Sequence, residues 1–337
     1  MIFNINLTER CNLNCTHCFA LKRNLDMSDE ITDLTLNYLA NVINIHTNED
    51  HSVIFLGGEI GLLNPNIIIS FMEKLNKLIK VKVNYEISTN LVYKITSEHL
   101  SLFKKFKEIT VSYDPNIRFK TQQQKKLWKE NVKLLKKEGI LINCVISVTK
   151  DIVKIDPKIF FENMLTLNCN SYDLMTIAPS VSNNNTWNIV KAINRDEDEW
   201  LYGVYLLYKL YQSSNSDFII YFFKGIEDLI IKGEEYEDFC RNCQTSRLTF
   251  GPDGLISQCP FTQSKPFYDL KTNTYINNNY QYWIDKEKKI NEKCNTCNLF
   301  KYCKGDCCLH LWDEAGCACP KKIFNYVIQH KNCFTNK

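Results

Sequence analysis

Three thiols fall within eight residues near the start of the chain, in the stretch CNLNCTHC: Cys11, Cys15 and Cys18. Thiols so placed bind metal, pair as disulfides or line one face of a helix. The spacing is that of a helical face, but Asn12, Asn14 and Thr16 are poor helix formers. A straight helix would also separate Cys11 from Cys18 by roughly 10 Å along its axis. Disulfides need an oxidising compartment, and MIFNINLTER is too short and polar for a signal peptide. Structural zinc wants four ligands, and only three cysteines are here, with His17 or a remote residue as candidates for a fourth. A cubane held by three cysteines leaves one iron with an open position.

A second group of chemistry-bearing residues lies far downstream. Of 16 cysteines in 337 residues, eleven fall between Cys240 and Cys333. Cys294-x2-Cys297-x5-Cys303-x3-Cys307 is dense and regular, and Cys243-x10-Gly254-x4-Cys259 brackets a Gly-Pro-Asp-Gly turn that reads as a β-hairpin. Cys240 lies just before this run, and Cys317 and Cys319 follow it. Such clustering in a chain without a secretory signal points to metal binding, with zinc knuckles as the plain alternative. Cys144 sits in an apolar run and reads as a buried core thiol.

These groups need a scaffold. Ile2–Leu7, Val53–Leu56, Lys82–Ser88, Ile109–Tyr113, Ile140–Val148 and Tyr172–Ile177 read as strands. Between them Ile31–Ile45, Ile67–Ile79, Leu100–Phe106, Lys125–Glu138 and Pro157–Leu167 have helical spacing. About six strand-then-helix units imply an α/β fold of parallel strands, an open or partial barrel whose chemistry sits at the C-terminal ends of the strands. The cysteine loop directly follows the first strand. Gly57-Gly58-Glu59 follows the second, and three of only 11 glycines fall at 57, 58 and 61. Asn183 to Asn185 reads as a turn closing this region. Glu199–Tyr211 and Phe222–Ile231 read as bridging helices. The expected domains are therefore residues 1–190, a partial barrel; 191–235, bridging helices; and 236–337, a small cysteine-rich domain.

Composition narrows the function. Charged residues make up 23% and apolar residues 45%, and the net charge is +3 with both signs interspersed. No basic stripe argues for nucleic acid, and no apolar run approaches membrane-spanning length. A soluble, cytoplasmic protein is expected.

Cys11-x3-Cys15-x2-Cys18 resembles the signature of the radical S-adenosylmethionine (radical SAM) superfamily, CxxxCxΦC, with His17 at the position usually held by an aromatic. The partial (β/α)6 barrel of that superfamily agrees with the pattern above. The resemblance implies a [4Fe–4S] cluster on Cys11, Cys15 and Cys18, with the open iron chelating S-adenosylmethionine. It also implies one-electron cleavage to a 5′-deoxyadenosyl radical that takes hydrogen from the substrate. Gly57-Gly58-Glu59 resembles the GGE motif, which contacts the amino group of the methionine moiety. Ser88-Thr89-Asn90 resembles TNG with Leu91 in place of the glycine, and Ser112-Tyr113-Asp114-Pro115 resembles SxDGP without its glycine. Their side chains are candidates to meet ribose or substrate, with turn capping as the alternative.

The downstream cysteines resemble the SPASM extension of radical SAM proteins. This implies two auxiliary [4Fe–4S] clusters, three in all. Cys240, Cys243, Cys259 and Cys307 would hold one, and Cys294, Cys297, Cys303 and Cys319 the other, with Cys317 close enough to replace Cys319. SPASM relatives mostly modify peptides or proteins, so maturation of a ribosomally made peptide is the expected function. A sulfatase-maturase-like formation of formylglycine is one alternative, and a non-enzymatic zinc or electron-transfer protein another. The implied partners are a peptide or protein substrate, a flavodoxin- or ferredoxin-type electron donor and, since only residues 1–10 precede Cys11, a leader held by the barrel, the SPASM region or a separate leader-binding protein.

Overall fold

The computed structural model describes residues 1–179, 189–236, 239, 241–276 and 278–334. The expected turn at Asn183 to Asn185 lies outside them. The chain forms two compact units. One comprises Met1–Asn143 with Asn242–Ile284; the other comprises Cys144–Pro179, residues 189–241 and the chain from Asp285 onward.

Strands and helices alternate through the first part of the chain. Strands β1 (Ile2–Asn6), β2 (Ser52–Leu56), β3 (Asn84–Thr89), β4 (Ile109–Ser112), β5 (Ile142–Val148) and β6 (Ser171–Thr176) are separated by helices α1 (Asp29–Ile45), α2 (Pro65–Leu78), α3 (Ser97–Phe103), α4 (Gln122–Lys137) and α5 (Pro157–Leu165). There follow α6 (Asn194–Gln212), β7 (Ile219–Ile220), α7 (Tyr221–Ile231), α8 (Cys243–Ser246), β8 (Arg247–Phe250), β9 (Leu255–Ser257), β10 (Tyr268–Asp269), β11 (Thr274–Tyr275), α9 (Asn279–Lys288), α10 (Phe300–Cys303) and α11 (Lys321–Gln329).

In the first unit the sheet runs β11-β10-β9-β8-β1-β2-β3-β4. β1 is central and pairs in parallel with β2, Phe3 opposite Val53, and with β8, Phe3 opposite Leu248. Parallel strands buried on both faces read as apolar runs, and Phe3, Ile5, Val53, Phe55, Ile109 and Val111 are fully buried. β8 and β9 form the antiparallel hairpin expected around Gly251–Gly254, where Gly254 takes φ +84°, a conformation that favours glycine. In the second unit β6 lies between β5 and β7.

Local signals set the helix starts. Ser28 caps α1 by accepting from the N–H of Ile31, and Asn64 precedes Pro65 at the start of α2. Thr121 and Gln124 form a capping box at α4. Helix α3 begins three residues before the Leu100 that apolar spacing suggested and stops at Phe103. The reason is a capping box between Thr96 and His99, which fixes the first turn earlier than periodicity can. Among the described residues no helix is long and apolar enough to cross a membrane.

Candidate functional site

The cysteine loop leaves β1 without forming a helix. Cys15 is buried, and Cys11 and Cys18 are half-buried. None of these three cysteines is in a disulfide. Burial pushes the Cys11 thiol up to about 11, opposed by the Leu13 N–H that points at its sulfur from 3.4 Å. Burial also raises Cys15, against the nearby Arg118 guanidinium. Side-chain donors approach two of the sulfurs. Asn90 Nδ2 lies 3.8 Å from Cys11 Sγ, and Arg118 Nη1 lies 3.8 Å from Cys15 Sγ.

The predicted companions gather round this loop. Asn90, at the end of β3, also donates to Asn12 Oδ1 at 2.9 Å, and Asn12 donates to the Val92 carbonyl at 2.5 Å. Asp114, after β4, is 1% exposed; its Oδ2 accepts from Arg118 Nε and Nη2, each at 2.8 Å. His17 Nε2 lies 3.4 Å from the same oxygen. The Asp114 carboxylate is thus engaged by Arg118 and His17. Ser88 and Ser112 are half-buried at the ends of β3 and β4.

The glycine pair has a local packing role. The Gly58 N–H donates to the Thr8 carbonyl at 2.7 Å and the Glu59 N–H to the Arg10 carbonyl at 2.8 Å. A Cβ on Gly57 would collide with the Thr8 carbonyl, and one on Gly58 with the carbonyls of Glu9 and Arg10. Both glycines therefore let the end of β2 lie directly against the chain that leads into the cysteine loop. Glu59 is buried, and burial raises its carboxyl above the ordinary range. It accepts from Thr89 Oγ1 at 2.5 Å, Asn90 N at 2.6 Å and Gly61 N at 2.8 Å.

Leu91 stands where the TNG resemblance expects glycine. It adopts φ +54°, the left-handed region that glycine tolerates best. Asn131 of α4 holds the strained turn by donating to the carbonyls of Leu91 and Tyr93, at 2.9 and 2.8 Å.

A second constellation lies in the other unit. Cys294, Cys297, Cys303, Cys317 and Cys319 line one cavity of about 240 Å³, together with His310, Trp312 and Lys321. Cys303 and Cys319 are hydrogen-bonded through their side chains, which lowers Cys303 to about 7 and raises Cys319, and burial adds to the latter. Burial raises Cys317 against the opposing charge of Lys321. Cys303 is followed by Lys304, Gly305 and Asp306 at φ +48°, +85° and +62°, and the Asp306 N–H returns to the Cys303 carbonyl at 2.7 Å. Arg241 clasps this turn, donating to the carbonyls of Asp306 at 2.7 Å and Gly305 at 3.3 Å, and to Glu287 at 2.5 Å. Of the other predicted set, Cys243 and Cys259 belong to the first unit and Cys307 to the second. Cys240 lies outside the described residues.

Among the described residues no three His, Cys, Asp or Glu side chains converge closely enough for a single metal ion. Thiolates that each bind a different iron stand further apart than ligands of one ion. The donor set of the first loop suits a cluster: soft thiol ligands on a curled loop, with N–H groups aimed at two of the sulfurs.

The radical SAM superfamily model matches residues 5–152. The chain carries a radical SAM domain. Over 88 residues it is 35% identical to an uncharacterized protein of Methanocaldococcus jannaschii, a match covering 26% of this chain and 29% of that protein, well under two thirds of its length. Native anSMEcpe with bound AdoMet and Cp18Cys peptide aligns over 99% of this chain and 98% of its own, with TM-score 0.78 and 20% identity. Streptococcus suis SuiB bound to precursor peptide SuiA aligns over 91% and 71%, with TM-score 0.56 and 17% identity. At such identities the likeness speaks to fold, and the α/β architecture with its parallel strands is the partial TIM-type barrel of radical SAM domains.

Two residues that shape the radical SAM domain and the cysteine cavity escaped the motifs. Arg118 lies four residues after Asp114, a carboxylate-to-arginine spacing that would have flagged the pair had the segment been read as a helical turn. Arg241 adjoins Cys240, and only its partners in space reveal its role.

Proposed function

We propose that the chain is a radical SAM enzyme acting on a peptide or protein, with maturation of a ribosomally made peptide as the favoured role. The observation that carries this is the loop Cys11, Cys15 and Cys18, inside the radical SAM domain, with Asn90 and Arg118 donating toward its sulfurs. The Cp18Cys peptide bound to anSMEcpe and the precursor peptide SuiA bound to SuiB support the substrate class. When bound, a reduced [4Fe–4S] cluster and S-adenosylmethionine supply a radical able to take hydrogen from an unactivated carbon.

This chain's own residues do the rest. Cys11, Cys15 and Cys18 hold the cluster. Glu59 binds three donors from the ends of β2 and β3 and fixes the rim on which Gly57, Gly58, Ser88 and Asn90 sit as candidates to contact S-adenosylmethionine. Ser112 and Asp114 stand at the end of β4, with His17 against the Asp114 carboxylate. In the second unit Cys294, Cys297, Cys303 and Cys319 would hold an auxiliary cluster in their cavity. Cys240, Cys243, Cys259 and Cys307 are proposed for another, which makes a SPASM-type extension. A flavodoxin- or ferredoxin-type protein would supply the electron.

The test is anaerobic reconstitution followed by iron counting and detection of 5′-deoxyadenosine under reducing conditions. Three cubanes predict about 12 irons per chain. Replacing Cys11, Cys15 and Cys18 with alanine should leave about 8 irons and abolish deoxyadenosine. Undiminished deoxyadenosine from that variant, or a colourless zinc-loaded protein, would sink the reading. The substrate class is tested by the mass of short peptides encoded beside this gene after incubation with the enzyme; unchanged masses alongside active cleavage would reject a peptide substrate of that origin.

A further inference from the structure

The surroundings of the three sulfurs are electrically unequal. Cys11 meets neutral donors, the Leu13 N–H and the Asn90 amide. Cys15 meets cations. Arg118 Nη1 is 3.8 Å from its sulfur, and Lys22 Nζ is 3.2 Å from its carbonyl oxygen and 2.8 Å from Asn14 Oδ1.

Arg118 is placed with unusual care. The segment after β4 makes a turn in which the N–H groups of Ile117 and Arg118 both return to the Asp114 carbonyl, at 3.3 and 2.9 Å. The same turn docks on the cysteine loop, for the Thr16 N–H donates to the Ile117 carbonyl at 3.3 Å. Asp114 Oδ2, on a carboxylate that is itself buried, then takes the Nε and Nη2 edge of the guanidinium. The remaining nitrogen, Nη1, faces the Cys15 sulfur. A guanidinium keeps its charge at any working pH, and a fork held by one carboxylate is pre-organised for a second acceptor.

We propose that Arg118, oriented by Asp114, is a positioning residue that donates to the Cys15 thiolate and holds the first cluster at a higher reduction potential than the cysteine loop alone would give. The inference rests on the assignment of a cluster to Cys11, Cys15 and Cys18. Reduction adds one negative charge to the cluster. A fixed cation in a water-poor site stabilises the more negative state, and hydrogen bonds to cluster sulfurs act in the same direction. Asp114 tempers the effect by its own charge, which acts on Cys15 against the larger influence of Arg118.

The experiment is a potentiometric titration of the reconstituted holoenzyme followed by electron paramagnetic resonance, with iron content and circular dichroism measured alongside. The signal absent from the Cys11→Ala, Cys15→Ala, Cys18→Ala triple variant identifies the first cluster. In Arg118→Met that signal should persist with its reduction equilibrium at least tenfold less favourable, about 59 mV more negative. Arg118→Lys, which keeps the charge and loses the fork, should fall between Met and wild type. An unchanged potential in Arg118→Met overturns the inference. Loss of the first-cluster iron from both variants in a folded protein also overturns it, because the role is then retention rather than tuning. A triple variant that keeps all its iron and its signal would instead overturn the cluster assignment, whatever Arg118 does.

Discussion

The Glu59 carboxylate accepts the backbone N–H of Asn90 at 2.6 Å, which ties the end of β2 to the end of β3. Thr89 and Gly61 donate to the same group, so one buried side chain satisfies three donors. Glu59→Ala would take this acceptor from the Asn90 and Gly61 N–H groups and leave Thr89 Oγ1 with Tyr93 Oη at 3.0 Å. The expected cost is about 3 kcal/mol, read by chemical denaturation. A loss below about 1 kcal/mol would show that water replaces the carboxylate.

The glycine pair is constrained by packing. Gly58→Ala drives a methyl into the carbonyls of Glu9 and Arg10, which are backbone and cannot swing aside. It should lower stability by about 2–3 kcal/mol and reduce iron bound at the first site. Gly139 is the internal control. It follows α4 at φ +74° with nothing within 4 Å of an added Cβ, so Gly139→Ala should cost about 1 kcal/mol from backbone strain alone. Equal losses from the two changes would remove the packing argument.

Asn131 compensates for a leucine in a conformation suited to glycine. Asn131→Ala removes two hydrogen bonds to buried backbone and should cost about 2 kcal/mol. Leu91→Gly relieves the left-handed strain but deletes a side chain that is fully buried, so it should be net destabilising by about 1–2 kcal/mol. A Leu91→Gly protein more stable than wild type would mean that strain outweighs burial here.

Asp198 gives the second unit a pH dependence. Burial raises it from 3.8 to about 6, against the Lys322 N–H that it accepts at the start of α11 and the nearby Lys322 and Lys321 charges; Glu199 adds to the rise. The folded state therefore holds this proton more tightly than the unfolded chain. The group's contribution is complete below about pH 4 and is lost as pH rises through about 6. Asp198→Asn keeps an oxygen for Lys322. It should match wild type near pH 4 and exceed it by roughly 1 kcal/mol at pH 8, after allowance for solvent screening of a partly exposed group. A pH-independent difference would refute the assignment.

Cys317 and Cys319 are separable by metal content. Cys319 is 4% exposed and bonded to Cys303, whereas Cys317 faces Lys321. Cys319→Ala should release about 4 irons and Cys317→Ala none. The reverse pattern would make Cys317 the ligand.

Much of the architecture was legible because it is written locally. Apolar periodicity gave the strand and helix order from Ile2 to Thr176, since each element must present one face to the core. The Gly-Pro-Asp-Gly turn announced the β8–β9 hairpin through chain geometry alone. The three cysteines after β1 were recognisable as candidates because thiols that share one centre need a fixed spacing in a short loop. The start of α3 was misplaced because its capping box, not its apolar pattern, sets the first turn.

What the sequence by itself determined was which residues are candidates for chemistry: Cys11, Cys15 and Cys18, the glycines after β2 and the crowded cysteines beyond residue 290. Only the tertiary structure decided what surrounds them. Arg118 reaches a sulfur 103 residues earlier in the chain. The Glu59 carboxylate accepts from the neighbouring strand, and a Cβ on Gly58 would meet two carbonyls. No local pattern encodes these relations, because they arise where parallel strands bring distant loops to one edge. There a hydrogen bond depends on the register of the sheet and not on spacing along the chain.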